Sequence, residues 1–280
     1  MAINWFPGHM AKTRREIKEN LKLVDAIIEI RDARLVASSK NPDIDDLCGN
    51  KPRIILLNKS DLSEERVTKE WIKYLSNDNI KVIGVNCITG NGLKGIKPLL
   101  NELLKEKHDR MTAKGIVNIV DRVMVVGIPN VGKSTFINKM AKNNIAKTGD
   151  RPGVTRSRQW IKTKIGMELM DTPGILWPKL ESDETQLNLA FTGAIKDEIM
   201  DIEELALKLI EKLQTDYPDR LMARYKLTEL SEEPLENMNS IGRKRGAVVS
   251  GGQIDYNRVA VLLLDEFRGG KLGAISLERP

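Results

Sequence analysis

The stretch Gly127-Ile128-Pro129-Asn130-Val131-Gly132-Lys133-Ser134 follows an apolar strand candidate, Arg122 to Val126, and opens a helix candidate at Lys133. Strand, glycine-bounded turn and helix in this order make a phosphate loop. The backbone N–H groups of such a loop and the N-terminus of its helix face phosphate oxygens. Lys133 compensates charge on the β- and γ-phosphates, and the Ser134 hydroxyl is a ligand for Mg²⁺. Two glycines let the chain turn tightly with no Cβ in the way. Asn130, Val131, Gly132, Lys133, Ser134 and Thr135 are therefore candidate nucleotide contacts.

Outward from the loop, short β-type runs at Ala26 to Ile30, Arg53 to Leu57 and Lys81 to Val85 alternate with helical composition at Ser63 to Leu75 and Leu93 to Lys107. Two further strand candidates, Arg158 to Lys164 and Gly166 to Met170, end at Asp171-Thr172-Pro173-Gly174. Alternation of this kind predicts an α/β fold with a mostly parallel sheet covered by helices. The pattern then stops. Ile202, Leu205, Leu209 and Leu213 form a helical stripe, and Tyr256 to Phe267 reads as a helix ended by Gly269 and Gly270. The expected division is a basic amphipathic segment over 1–24, a nucleotide-binding domain over 25–180, a connecting segment over 181–200 and a smaller all-helical domain over 201–280. In the first segment Met10, Ile17, Leu21 and Val24 mark one face, and Lys12, Arg15, Lys18 and Lys22 another.

The base is read from Asn58-Lys59-Ser60-Asp61, directly after an apolar strand. A carboxylate at Asp61 accepts two hydrogen bonds from the N1 and N2 edge of guanine, whereas adenine offers an unprotonated N1 and no 2-amino group. Asn86 and Cys87, after the strand ending at Val85, are placed to pack against the base. Asp171 supplies a carboxylate at a strand end for the Mg²⁺ shell, the Gly174 N–H can sense the γ-phosphate, and Thr155 is the candidate switch threonine on Mg²⁺.

Composition is consistent with a soluble globular chain: of 280 residues 41% are hydrophobic and 30% charged. No apolar run approaches the roughly 20 residues that cross a bilayer, and the N-terminus lacks the apolar core of a secretory signal, so the cytoplasm is the expected location. Cys48 and Cys87 have no paired spacing, which argues against a disulfide framework or structural zinc. A net charge of +6 favours an anionic partner.

Together these motifs resemble the GTPase superfamily, with the guanine-reading motif N-terminal to the phosphate loop, the mark of circularly permuted GTPases. A joint near Asp109 to Ile116 would close the old ends. Trp5-Phe6-Pro7-Gly8-His9-Met10-Ala11-Lys12 and the whole layout resemble the bacterial permuted GTPases that assemble the 50S subunit, over essentially the full chain. That resemblance implies GTP hydrolysis stimulated by the large subunit, binding and release of the pre-ribosomal particle, GTP, GDP and rRNA as ligands, and no membrane or DNA partner. Ile175 and Leu176 stand where Ras-type proteins carry a water-positioning Gln. The resemblance points instead to His9 as the catalytic residue; contact with RNA or packing is the other reading. It also implies K⁺ held by Asn130, in place of an arginine finger, and RNA contacts from Lys12, Arg15, Arg243, Lys244 and Arg245. His108, in the joint, receives no role. The competing classes are a protein-binding switch, which would be absent from large-subunit fractions, and a small-molecule kinase, which would transfer γ-phosphate to an acceptor other than water.

Overall fold

The computed structural model describes residues 15, 17–142, 160–172, 182–195 and 197–280. They divide into two units, 1–180 with 278–280, and 181–277.

The first unit is built on six strands: β1 (Ala26–Asp32), β2 (Arg53–Asn58), β3 (Ile80–Val85), β4 (Asp121–Val126), β5 (Trp160–Lys162) and β6 (Met167–Asp171). Their order is β3-β2-β1-β4-β6-β5, parallel throughout except for β5 against β6. β1, β2 and β4 are buried on both faces, which is why they read as largely apolar runs rather than as alternation. Helices α1 (Asp43–Cys48), α2 (Glu65–Leu75), α3 (Ile96–Leu103), α4 (Lys105–Ala113) and α5 (Lys133–Met140) connect them.

On one face Ile27, Met124 and Val126 pack with Ile17, Leu21, Val24, Ile44 and Leu47, so the apolar stripe of the N-terminal segment belongs to the sheet core. Its described helical residues end at Leu21, while Arg15, Lys18 and Lys22 stay exposed. Further along the same face Ile55, Leu57 and Val82 meet Val67 and Trp71 of α2. A buried aliphatic side chain of this size contributes about 1.5–3 kcal/mol relative to exposure.

Two local details go beyond the sequence reading. The helical composition of Leu93 to Lys107 is realised in pieces: a 3-10 turn at Leu93–Gly95 precedes α3, and Leu104 breaks α3 from α4. Pro98 lacks an N–H and is tolerated only in a first turn, so the helix restarts at Ile96. The joint is also helical as far as Ala113, and His108 there has a partner. Its Nε2 lies 2.8 Å from Oδ1 of Asp121, a fully buried carboxylate that also accepts from Lys97 at 3.0 Å and Lys107 at 3.1 Å. Burial pushes the Asp121 pKa up, but the hydrogen bonds from His108, Lys97 and Lys107 outweigh it and hold the carboxyl below its ordinary value. The cluster anchors the start of β4, whose far end carries the phosphate loop.

The second unit contains α6 (Asp183–Phe191), α7 (Ile202–Asp216), α8 (Pro218–Tyr225), α9 (Pro234–Arg245) and α10 (Tyr256–Arg268). Part of the 181–200 segment expected to be a connection is thus a helix, started by Ser182, whose side chain accepts from the Thr185 N–H. Asp201 and Asp255 cap α7 and α10 in the same way. The stripe Leu205, Leu209 and Leu213 is buried together with Leu221, Met238, Ile241, Leu263 and Phe267. No helix among the described residues is long and apolar enough to cross a membrane.

Candidate nucleotide site

Chain connections run away from β1 in one direction, to β2 and β3, and away from β4 in the other, to β6 and β5. The boundary between β1 and β4 is therefore the topological switch point, where open α/β sheets form a crevice at the strand C-termini. Gly127 follows β4 there with φ +153°, and a Cβ at this position would stand 2.6 Å from the carbonyl oxygen of Ile30 at the end of β1. Close approach of two backbones demands glycine.

The loop closes onto α5 through Gly132, the left-handed residue that starts the helix, with φ +103°. Ser134 and Thr135 in the first turn are exposed, and Lys133 is buried. Its ammonium donates to the carbonyls of Gly127 at 2.9 Å and Ile128 at 2.8 Å. Burial pushes Lys133 down to about 8, against the opposing pull of Asp171. Asp171, at the end of β6, is raised by the same desolvation, with Lys133 and the Thr172 N–H acting against it. An anion beside Lys133 would oppose that shift and favour the charged ammonium. Thr172 is buried and its hydroxyl donates to the Val125 carbonyl at 2.6 Å, tying the start of the Asp171 motif to β4.

Asn58 joins the motifs that sequence reading had treated separately. Its Nδ2 donates to the Val131 carbonyl at 2.7 Å, and its Oδ1 accepts from the Cys87 N–H at 3.0 Å. Lys59, in the left-handed region with φ 58°, donates to the Asn130 carbonyl at 3.2 Å and pairs with Asp32 at 2.9 Å. Asn130 is itself left-handed, φ 61°. Ser60 donates to the Val85 carbonyl at 3.1 Å, and Asp61 sits exposed in the following 3-10 turn. The structure thus gathers Asn58, Lys59, Ser60, Cys87, Asn130 and Val131 into one network.

The Asn86 side chain instead accepts from the N–H groups of Ile88 and Thr89, both at 2.9 Å, and so shapes its own turn. Burial pushes the Cys87 thiol up to about 12, leaving its backbone as the useful part. His9, Lys12, Thr155 and Gly174 lie outside the described residues. In the second unit Arg243 and Lys244 are exposed at the end of α9. Arg245 lies over the Tyr225 ring at 5.1 Å and pairs with Glu266 at 3.4 Å, a contact that holds α9 to α10.

Asp32 is a member of this network that sequence reading missed. Buried at the end of β1, it takes Arg34 Nε at 3.0 Å and Nη2 at 2.8 Å in addition to Lys59. Burial raises its pKa, but Arg34 and Lys59 outweigh this and hold it well below the usual carboxylate range. An Asp at a strand end is too common a signal for sequence to single out.

Phosphate loop, guanine-type motif and strand-end carboxylate meeting at the switch point, with the base motif first in the chain, define a circularly permuted P-loop GTPase. A family model described as 50S ribosome-binding GTPase matches residues 122–239. The chain is 51% identical over 280 residues to ribosome biogenesis GTPase A of Bacillus cereus, covering 100% of this chain and 95% of the relative. Against the Thermotoga maritima protein of that name identity is 33%, covering 99% and 95%. Mitochondrial ribosome-associated GTPase 1 of Bos taurus is 33% identical, covering 98% and 88%. Among solved structures, GNP-bound YlqF from T. maritima superposes with TM-score 0.65 at 29% identity, covering 96% of this chain and 98% of that one. A GDP-bound YlqF gives TM-score 0.66, also at 29% identity, covering 95% and 99%.

The chain belongs to the ribosome biogenesis GTPase A family. It is a GTP-hydrolysing enzyme with a role in ribosome assembly, and it binds guanine nucleotide. GTPases of this class work with Mg²⁺.

Proposed function

We propose that this GTPase acts in the cytoplasm on the large ribosomal subunit, contacting rRNA, and that GTP binding and hydrolysis govern its attachment to and release from the pre-ribosomal particle. The observation that carries the nucleotide-dependent part is the single Asn58 side chain joining the guanine-type motif, the phosphate loop and the Cys87 loop. Base and phosphates are then read by one rigid assembly. Full-length likeness to ribosome biogenesis GTPase A supports the target.

In this reading the Asp61 carboxylate receives guanine N1–H and the 2-amino group, with the Asn86–Cys87 turn beside the base. The backbone of Asn130 to Lys133 receives the β-phosphate, with Thr135 following in the first turn of α5. Ser134, Thr155 and Asp171 fit Mg²⁺ by donor type: two hydroxyls and a carboxylate, all hard oxygen. Bound there, Mg²⁺ would neutralise charge on the β- and γ-phosphates. Gly174 presents its N–H to the γ-phosphate. His9 orients the attacking water, since Ile175 and Leu176 have no group that can polarise it. Arg15, Arg243 and Lys244 are exposed cations suited to RNA phosphates, joined by Lys12. Arg245 supports the end of α9 that carries Arg243 and Lys244, through Tyr225 and Glu266.

Asp61→Asn tests the base reading. An amide can donate to the 2-oxo group of xanthine, where a carboxylate is repelled, so the variant should lose GTP affinity and gain affinity for xanthosine triphosphate. Unchanged guanine preference in competition binding would remove Asp61 from the base site. K⁺ held by Asn130 would supply positive charge beside the phosphates in place of an arginine finger. Turnover should therefore be higher in K⁺ than in Na⁺ at matched ionic strength, and equal rates would defeat the assignment.

A further inference from the structure

The loop after β1, residues 33–39, is tied at many points. Ala33 N–H donates to the Asn58 carbonyl at 2.8 Å, and Asp32 N–H donates to Ser39 Oγ at 3.1 Å. Ser39 Oγ donates to the Leu35 carbonyl at 2.6 Å, and Arg31 reaches the Val36 carbonyl at 3.4 Å. The successive N–H groups of Ala37 and Ser38 turn outward, and both are taken by one carboxylate from the far end of the chain. Glu278 accepts from Ala37 N–H at 2.7 Å and from Ser38 N–H at 3.1 Å, and it also accepts from the Ser38 hydroxyl. Paired backbone donors of this kind form an anion nest.

The same tail holds the other side of the guanine motif. Trp71 of α2 donates to the Glu278 carbonyl at 3.4 Å, and Arg279 pairs with Glu64, just before α2, at 3.3 Å. Asn58 to Asp61 is therefore flanked by two segments, loop 33–39 and α2, that Glu278 and Arg279 fasten together. Loop 33–39 begins directly after Asp32, whose carboxylate braces Lys59.

We propose that Glu278 is a positioning residue for the guanine site: its carboxylate ties loop 33–39 to a tail whose backbone carbonyl meets Trp71 of α2, and so holds the Asp32 brace on Lys59 and slows nucleotide release. This rests on the assignment of Asn58 to Asp61 as the base site. Because residue 277 closes the helical unit and residue 278 belongs to the GTPase unit, the last bond of the helical unit leads straight to this clasp.

Release of fluorescent GDP and fluorescent inosine diphosphate, followed by stopped flow in the full-length chain, tests the proposal. Glu278→Ala should release GDP about tenfold faster, and the preference for GDP over inosine diphosphate should fall, because Asp61 loses its hold on the 2-amino group. Glu278→Gln keeps the length and one acceptor oxygen but not the charge, so it should release GDP about threefold faster. Thermal melting identifies the folded variants; if Glu278→Ala does not melt cooperatively, Glu278→Gln decides. Release at the parental rate from a folded variant overturns the proposal, as does faster release with the base preference intact. Failure of the unaltered chain to bind guanine nucleotide overturns the base-site assignment, and this proposal with it.

Discussion

Gly132→Ala is expected to lower GTP affinity by about 10²- to 10⁴-fold while leaving both units folded. Two effects add. A non-glycine residue held at φ +103° is strained by roughly 1–3 kcal/mol, and the new Cβ would stand 2.3 Å from Asn58 Nδ2. That amide is buried and bonded at both ends, to Val131 and to Cys87, so it cannot swing aside without leaving a carbonyl and an N–H unpaired. Each such loss costs about 1–3 kcal/mol. In the free protein the loop relaxes to relieve the clash, and phosphate binding must restore it, so the cost appears in affinity. Calorimetric titration with GTP would check this. A loss below tenfold would mean that the Asn58 link between the motifs does not shape the bound state.

The second large effect concerns His9. If His9 orients the attacking water in the particle-bound state, His9→Ala should reduce subunit-stimulated hydrolysis by about 10²- to 10⁴-fold, the usual contribution of a positioned acid–base group. GTP binding, built from Asn58, Asp61 and Lys133, should stay near parental. Turnover must be measured with saturating large subunit and the bound fraction checked by sedimentation, since weakened particle binding would mimic a chemical defect. Full stimulated activity in a saturated His9→Ala complex would leave His9 a packing or RNA residue.

The nucleotide-binding architecture was legible because its signals are local. A phosphate loop, the Asn58 to Asp61 motif and Asp171 each declare themselves within a few residues of a strand end, and fully buried strands read as apolar runs. What escaped was whatever depends on a partner far along the chain. Asn58 looked like a base contact, yet its side chain is spent on Val131 and Cys87, separations of 73 and 29 residues. Asp32, His108 and Glu278 carry no motif, and their meaning comes only from what the fold places beside them. Arg245 looked equivalent to Arg243 and Lys244 until the fold put Tyr225 and Glu266 next to it. The break at Leu104 was missed because the composition on both sides is helical.

GTP turnover by the unaltered chain, measured with and without purified large ribosomal subunits in K⁺ and Mg²⁺, bears most directly on the central claim. A slow intrinsic rate that rises by at least tenfold, and saturates, as large subunit is added is the predicted result. A rate that large subunits leave unchanged, while the chain binds GTP normally, would contradict the account.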